Sequence, residues 1–124
     1  MGMTESEWKI MNAVWQRHPA SARDVLQSLD ESTSWAYSTV KTFLKRLADK
    51  GFLTVSRDAN VNLYEPTLSR EEAQRSEVHL LLERAFDGTM GPLVNLLVSE
   101  SDLPEKQRRT LQEMIEAERE QPVE

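Results

Sequence analysis

Ser34-Trp35-Ala36-Tyr37-Ser38-Thr39-Val40-Lys41-Thr42-Phe43-Leu44-Lys45-Arg46-Leu47-Ala48-Asp49-Lys50-Gly51 is the stretch that decides the fold. At about 100° per residue, Ala36, Val40, Phe43, Leu44 and Leu47 fall on one arc, and Ser38, Thr39, Lys41, Thr42, Lys45 and Arg46 on the other. The pattern predicts an amphipathic helix with a basic, hydroxyl-rich outer face. Ser34 is placed to cap its start, Lys50 suits the last turn, and Gly51 suits the left-handed residue that ends it. The outer face carries the side chains that bond phosphates and read base edges, Arg toward guanine and Thr toward thymine methyls or polar edges. It is a candidate DNA recognition helix. An ordinary solvated surface helix fits the stretch equally well when taken alone, so the flanking segments decide.

Before it, Thr4-Glu5-Ser6-Glu7 has the capping-box form, and Trp8, Ile10, Met11, Val14 and Trp15 supply the apolar face of a first helix to about Arg17. His18-Pro19 ends that helix, because the residue before proline is pushed out of the helical region. Ser21-Ala22-Arg23-Asp24 is a second cap signal, opening a short helix with Val25, Leu26 and Leu29 on its buried side. A polar loop over residues 30–33 leads into the central stretch. The first unit's core is expected from Trp8, Val14, Leu26, Val40, Leu44 and Leu47, with Trp15 also buried and Trp35 packed beneath the third helix.

After Gly51 the period changes to that of strands. Residues 52–56 and 61–64 are rich in β-branched and aromatic types and are separated by the turn formers of Arg57-Asp58-Ala59-Asn60, with Glu65-Pro66 closing the hairpin. Helix, helix, helix, hairpin is the order of a winged helix-turn-helix, in which the third helix enters the major groove and the hairpin lies along the backbone. Arg57, near the hairpin tip, is placed to meet a phosphate. The fold class is mostly α with a small β-hairpin (α+β), with a winged-helix domain over residues 1–66 and a helical dimerisation unit over 67–124.

In that second unit, Ser69-Arg70-Glu71-Glu72 repeats the capping-box form, and Val78, Leu81, Leu82, Ala85 and Phe86 make an apolar stripe up to Asp87-Gly88. Gly91-Pro92 opens a segment that Leu93, Val94, Leu96, Leu97 and Val98 make apolar on most sides. Pro104 starts a last helix with a thin stripe of Leu111, Met114 and Ile115. Helices this short have too little core to stand alone. They are expected to bury Val78, Leu81, Leu82, Phe86, Leu93, Leu96, Leu97, Leu111, Met114 and Ile115 against a second copy, as a homodimer.

Charge is distributed to match. The 124 residues carry a net charge of −6, which on its face argues against a nucleic-acid partner. Yet residues 1–66 hold eight basic and eight acidic side chains, whereas residues 67–124 hold seven and thirteen. Within residues 34–57 five basic side chains face Asp49 alone. A basic patch on a neutral unit, joined to an acidic unit, fits a nucleic-acid-binding module attached to a module with another task.

Other chemistries find no support. The chain has no cysteine, which removes disulfides, thiolate metal sites and cysteine nucleophiles. His18 and His79 are the only histidines, and neither has a second ligand at metal spacing; His79 falls instead at the edge of the expected dimer interface. The glycines form no phosphate loop, no serine has a base partner, and Glu71-Glu72 reads as N-terminal helix charge. No catalytic residue and no cofactor is therefore assigned. No run reaches the roughly 18 apolar residues of a membrane span and no signal peptide is visible, so a cytoplasmic protein without membrane insertion is expected.

The pieces together resemble the penicillinase-repressor (BlaI/MecI/CopY) family of bacterial transcriptional repressors. The likeness rests on Thr4-Glu5-Ser6-Glu7-Trp8 with Ile10-Met11 and Val14-Trp15. It continues through Trp35, Thr39-Val40-Lys41-Thr42 and Leu44-Lys45-Arg46-Leu47 with Lys50-Gly51, then Arg57-Asp58, Tyr64 and Pro66. It ends with His79 through Leu82, Arg84, Phe86 and Gly88-Thr89. What the resemblance implies is a dimer that binds a palindromic double-stranded DNA operator through two winged helices and is held together by C-terminal helices. The positions matching the family's DNA contacts are Ser38, Thr39, Thr42 and Arg46, with Lys41 and Lys45 on phosphates. Tyr37 departs from the small residue or proline commoner there. In antibiotic-sensing members a membrane metalloprotease sensor relieves repression by cleaving an Asn-Phe bond in the C-terminal helices. The matching pair here is Leu96-Leu97, with Asn95 one place away. Copper-sensing members use a cysteine cluster that this chain lacks. The competing reading is a winged helix used as a protein-interaction module without specific DNA binding.

Overall fold

The structure is a computed structural model that describes residues 2–30, 32–99, 104–110 and 113. Its elements run α1 (Glu5–Gln16), α2 (Ala22–Ser28), α3 (Tyr37–Asp49), β1 (Leu53–Asp58), β2 (Val61–Pro66), α4 (Arg70–Ala85) and α5 (Met90–Ser99), and residues 105–110 are again helical. The chain divides into two compact units between Glu77 and Val78, inside α4.

In the first unit, local chemistry sets the helix starts. The Thr4 hydroxyl accepts from the Glu7 amide and the Glu7 carboxylate accepts from the Thr4 amide, a complete capping box. Ser21 and Asp24 repeat it for α2, and Ser69 and Glu72 for α4. α1 ends at Arg17, whose backbone is extended, just before His18-Pro19.

The start of α3 differs from expectation. Ala36, not Ser34, is the N-cap, and no side chain caps the helix. The reason is packing: the Trp35 ring lies 5.1 Å from the Phe43 ring, which places Ser34 outside the helix and leaves Ala36 exposed rather than on the buried arc. At the other end Gly51 has φ +88°, the left-handed conformation expected of it.

Three helices and the hairpin close on one core. Ile10, Met11 and Val14 of α1 meet Val25 of α2, Val40, Leu44 and Leu47 of α3, Leu53 of β1 and Tyr64 of β2. Each full burial contributes roughly 1.5–3 kcal/mol relative to exposure, so these contacts hold α3 against the other elements. Two of the expected core aromatics are only half-buried: Trp8 and Trp15 pack on each other at 5.7 Å, and the Trp15 indole donates to the Leu68 carbonyl at 3.0 Å. An indole N–H needs a partner, and the chain end of the hairpin supplies it.

The two strands pair antiparallel from Leu53↔Pro66 to Asp58↔Val61. They are longer than the sequence suggested because Arg57 and Asp58 continue β1 and only Ala59 and Asn60 turn, at φ 49° and 68°. Left-handed conformation at both central residues is that of a type I′ turn, one of the two favoured in two-residue hairpins. Tyr64 also exchanges backbone hydrogen bonds with Ala20 at 2.8 and 3.1 Å, tying the wing to the α1–α2 link.

In the second unit, Asp87 and Gly88 adopt left-handed conformations that end α4, with the Gly88 amide bonded to the Leu82 carbonyl. α5 has no buried residue, and Val78, Leu81, Met90, Leu96 and Leu97 stand exposed. Phe86, Leu93, Val94 and Val98 are half-buried, and Leu82 is already buried within the single chain. Leu111, Met114 and Ile115 lie outside the described residues. Among the described residues no helix is long and apolar enough to cross a membrane.

Candidate nucleic-acid interface

The fold turns one face of α3 outward. Val40, Leu44 and Leu47 are fully buried, so the positions between them are driven to the surface: Ser38, Lys41, Thr42, Lys45 and Arg46 are exposed and Thr39 is half-buried. The hairpin stands beside this face. A cleft of about 580 Å³ runs between them, lined on the helix side by Ser38, Lys41, Thr42, Lys45, Ala48 and Asp49 and on the wing side by Val55, Asn62 and Tyr64. A second cleft of about 430 Å³ lies at the N-terminal end of α3, where Ser21, Ala22 and Arg23 of the α2 start face Tyr37, Lys41, Arg57, Asn60, Val61, Asn62 and Tyr64. Lys41, Asn62 and Tyr64 line both, so the two clefts adjoin along one grooved face.

Of the residues singled out from sequence, Ser38, Lys41, Thr42, Lys45 and Arg57 come together on this groove. Thr39 and Arg46 line neither cleft. The Arg46 guanidinium lies 5.7 Å from the Phe43 ring, over the flank of α3 away from the wing. The Thr42 hydroxyl donates to the Ser38 carbonyl at 3.0 Å, so toward a ligand its oxygen acts as an acceptor.

Three groove residues had no role in the sequence reading. Arg23 follows the Ser21 cap and stands exposed on the first turn of α2, Asn60 is the second residue of the hairpin turn, and Asn62 lies just after it in β2. The cap and turn signals located them in the chain, but only the packing of α2 and the wing against α3 puts them beside Lys41. Tyr37, which stood out only as a departure from a family pattern, is 41% exposed at the head of α3. The Arg23 guanidinium lies 5.2 Å and the Lys41 ammonium 5.4 Å from its ring centre.

Among the described residues no group of three histidines, aspartates or glutamates stands close enough to hold a metal ion. His18, in the link between α1 and α2, and His79, on α4, are both exposed. The carboxylates with perturbed acidity are structural. Asp24 and Glu72 are held below their ordinary values by the Ser21 and Ser69 amides and hydroxyls they cap. For Glu7, burial pushes upward, but the Lys50 hydrogen bond, the Thr4 amide and the Lys50 charge outweigh it and hold the carboxyl below the usual range.

Comparison with known proteins places this geometry. The model of the penicillinase repressor family matches residues 3–117. The penicillinase repressor of Bacillus licheniformis is 23% identical over 92% of this chain and 89% of its own length. The methicillin resistance regulatory protein MecI of Staphylococcus aureus strain N315 is 22% identical over 91% of this chain and 92% of its own. Among solved structures, monomeric BlaI of Bacillus licheniformis in complex with the blaP half-operator superposes with a TM-score of 0.50 at 24% identity. That match covers 58% of this chain and 88% of the solved BlaI chain. The shared fold is that of the winged helix.

Proposed function

The chain belongs to the penicillinase repressor family of winged-helix, DNA-binding transcriptional repressors, and from that premise we propose that it acts in the cytoplasm as a homodimer that represses transcription by binding a palindromic operator. The family is one of non-enzymatic regulators. The observation that carries the reading is the groove between α3 and the wing, where Ser38, Lys41, Thr42, Lys45 and Arg57 converge on the exposed side of a helix whose opposite side is fully buried. Its cations suit backbone phosphates, and its small hydroxyls suit base edges. Thr39 and Arg46 would add contacts along the outer flank of the same helix.

The dimer rests on the second unit. An α5 with no buried residue, together with exposed Val78, Leu81, Leu96 and Leu97, needs a partner surface, and a second copy supplies a self-complementary one. Leu93 and Phe86 would join it, with the already buried Leu82 supporting them from within the chain. Two winged helices related by a two-fold axis then meet two half-sites. The signal that releases the operator is unknown; proteolysis in the C-terminal helices by a membrane sensor protease is one route, but Leu96-Leu97 stands here in place of the Asn-Phe bond cut in antibiotic-sensing members.

The test is selection of duplexes from a random library by the full chain, followed by footprinting of the enriched sequence. Enrichment of an inverted repeat, protected over two half-sites with strongly salt-dependent affinity, is the expected result. A dimer that enriches no sequence and leaves no footprint would instead be a protein-interaction module.

A further inference from the structure

One part of the groove goes beyond a helix laid in a major groove. At its upper end three cations from three elements converge: Arg23 from the first turn of α2, Lys41 from α3 and Arg57 from β1. None of the three is in an ion pair among the described residues, and no carboxylate lines the cleft they share. Like charges gathered without a counter-charge repel one another and leave an anion site unfilled. What holds two of them is Tyr37. Its ring has the Arg23 guanidinium at 5.2 Å and the Lys41 ammonium at 5.4 Å, each within reach of the ring's negative face.

We propose that this cleft is a phosphate clamp for one DNA backbone phosphodiester, with Arg23, Lys41 and Arg57 supplying the charge and Tyr37 acting as the positioning residue that keeps Arg23 and Lys41 aimed together. The inference rests on the DNA-binding reading above. Asn60 and Asn62, on the wing side of the same 430 Å³ cleft, add neutral donors for the phosphate's remaining oxygens. A duplex lying with its major groove on α3 brings its backbone between α2 and the wing. The clamp therefore fixes the register in which Ser38 and Thr42 meet the bases. A flexible side chain on a helix surface is ordinarily free to swing; stacking both cations on one ring removes that freedom before the DNA arrives, so less ordering is left to the binding step.

The experiment is titration of the full chain onto its selected duplex at a series of salt concentrations. Losing one phosphate contact lowers the slope of log affinity against log salt by about 0.9, equivalent to about a fivefold loss at about 0.15 M salt. Because Lys41 and Arg57 still neutralise the phosphate, Arg23→Gln should lose affinity about fivefold with a slope that falls by less than about 0.9. Tyr37→Leu, which removes no charge, should lose affinity at an unchanged slope, while Tyr37→Phe, which keeps the ring, should bind as the parent does. The thermal midpoint of Tyr37→Leu should stay near the parent's, and should it fail to fold, the exposed Arg23→Gln carries the test alone. If Arg23→Gln leaves slope and affinity untouched while Lys45→Gln reduces both, the clamp is wrong and the DNA-binding reading stands. If no duplex is enriched at all, both fall. Equal losses in Tyr37→Phe and Tyr37→Leu would overturn the role of the ring. Saturable binding of inorganic phosphate to the free chain at matched ionic strength, with DNA affinity indifferent to Arg23→Gln, would assign the cleft to a small anion and overturn the clamp.

Discussion

The Lys50 ammonium lies 2.8 Å from the Glu7 carboxylate, joining the end of the helix that faces the groove to the first turn of α1. Glu7 is only 2% exposed, whereas Lys50 is 25% exposed. The same carboxylate oxygen accepts the Thr4 amide at 2.8 Å, so one group both caps α1 and anchors α3. Removing Lys50 would leave a buried charge with only its capping bond. Lys50→Met should therefore destabilise by about 2 kcal/mol, and Glu7→Gln by less, because the amide can still accept from Thr4. The double variant should lose less than the sum of the two. Urea midpoints at constant m-value measure all three.

Acid sensitivity follows from the same carboxylates. Glu7, Asp24 and Glu72 are all held below their ordinary acidities in the folded chain. A group whose folded pKa is depressed contributes stability that is fully present above its unfolded value and is lost as pH falls through the folded one. The thermal midpoint should thus be flat near neutrality and decline as pH drops below the ordinary carboxylate range. In Glu7→Gln that decline should be shallower. A midpoint whose pH dependence is the same with and without Glu7 would contradict the assignment.

Ala59 sits at φ 49° in the hairpin turn, a conformation that costs an L-residue with a Cβ about 1 kcal/mol. Glycine has no such cost but loses more freedom on folding, so Ala59→Gly should raise stability by about 0.5 kcal/mol and leave DNA affinity unchanged. Thermal melts of the two chains decide it.

On the groove itself, Lys45 and Thr42 should behave differently. Lys45→Gln removes a charge from the cleft and should weaken binding to all sequences alike, by about fivefold at about 0.15 M salt. Thr42 uses its proton on the Ser38 carbonyl and offers only an acceptor. Thr42→Val should therefore lose about 1 kcal/mol of preference for a base presenting an amino group, at one position and with no change in salt slope. Competition titrations against single-base variants of the selected duplex separate the two effects.

The second unit is tested by charge placed on its exposed apolar faces. Leu81→Glu or Leu97→Glu should shift the chain from dimer to monomer in sedimentation while the first unit keeps its melting behaviour. Operator affinity should fall with it, since a monomer meets one half-site only.

Some of this was legible in the chain and some was not. The capping boxes at Thr4 and Ser69, the cap at Ser21 and the left-handed Gly51 act within three or four residues, and each reappears in the structure where the pattern put it. Ser34 misled because a serine before an apolar run is a cap only if the chain enters the helix there, and the Trp35–Phe43 contact moved that entry to Ala36. Trp8 and Trp15 misled because a large ring at a helical apolar position need not be fully covered when a neighbouring ring and one carbonyl suffice.

By itself, then, the sequence determined the order of helices and strands, the inward arc of α3 and the basic character of the opposite one, because periodicity and caps are local properties of the chain. Only the tertiary structure decided which distant residues share a surface. That Arg23 and Lys41 both reach Tyr37, that Arg57 closes the same cleft and that Arg46 lies on another flank depend on the angles at which α2 and the wing pack against α3. Those angles are set by how Val25, Val40, Leu44, Leu53 and Tyr64 fill one core together, and no window of neighbouring residues contains that information.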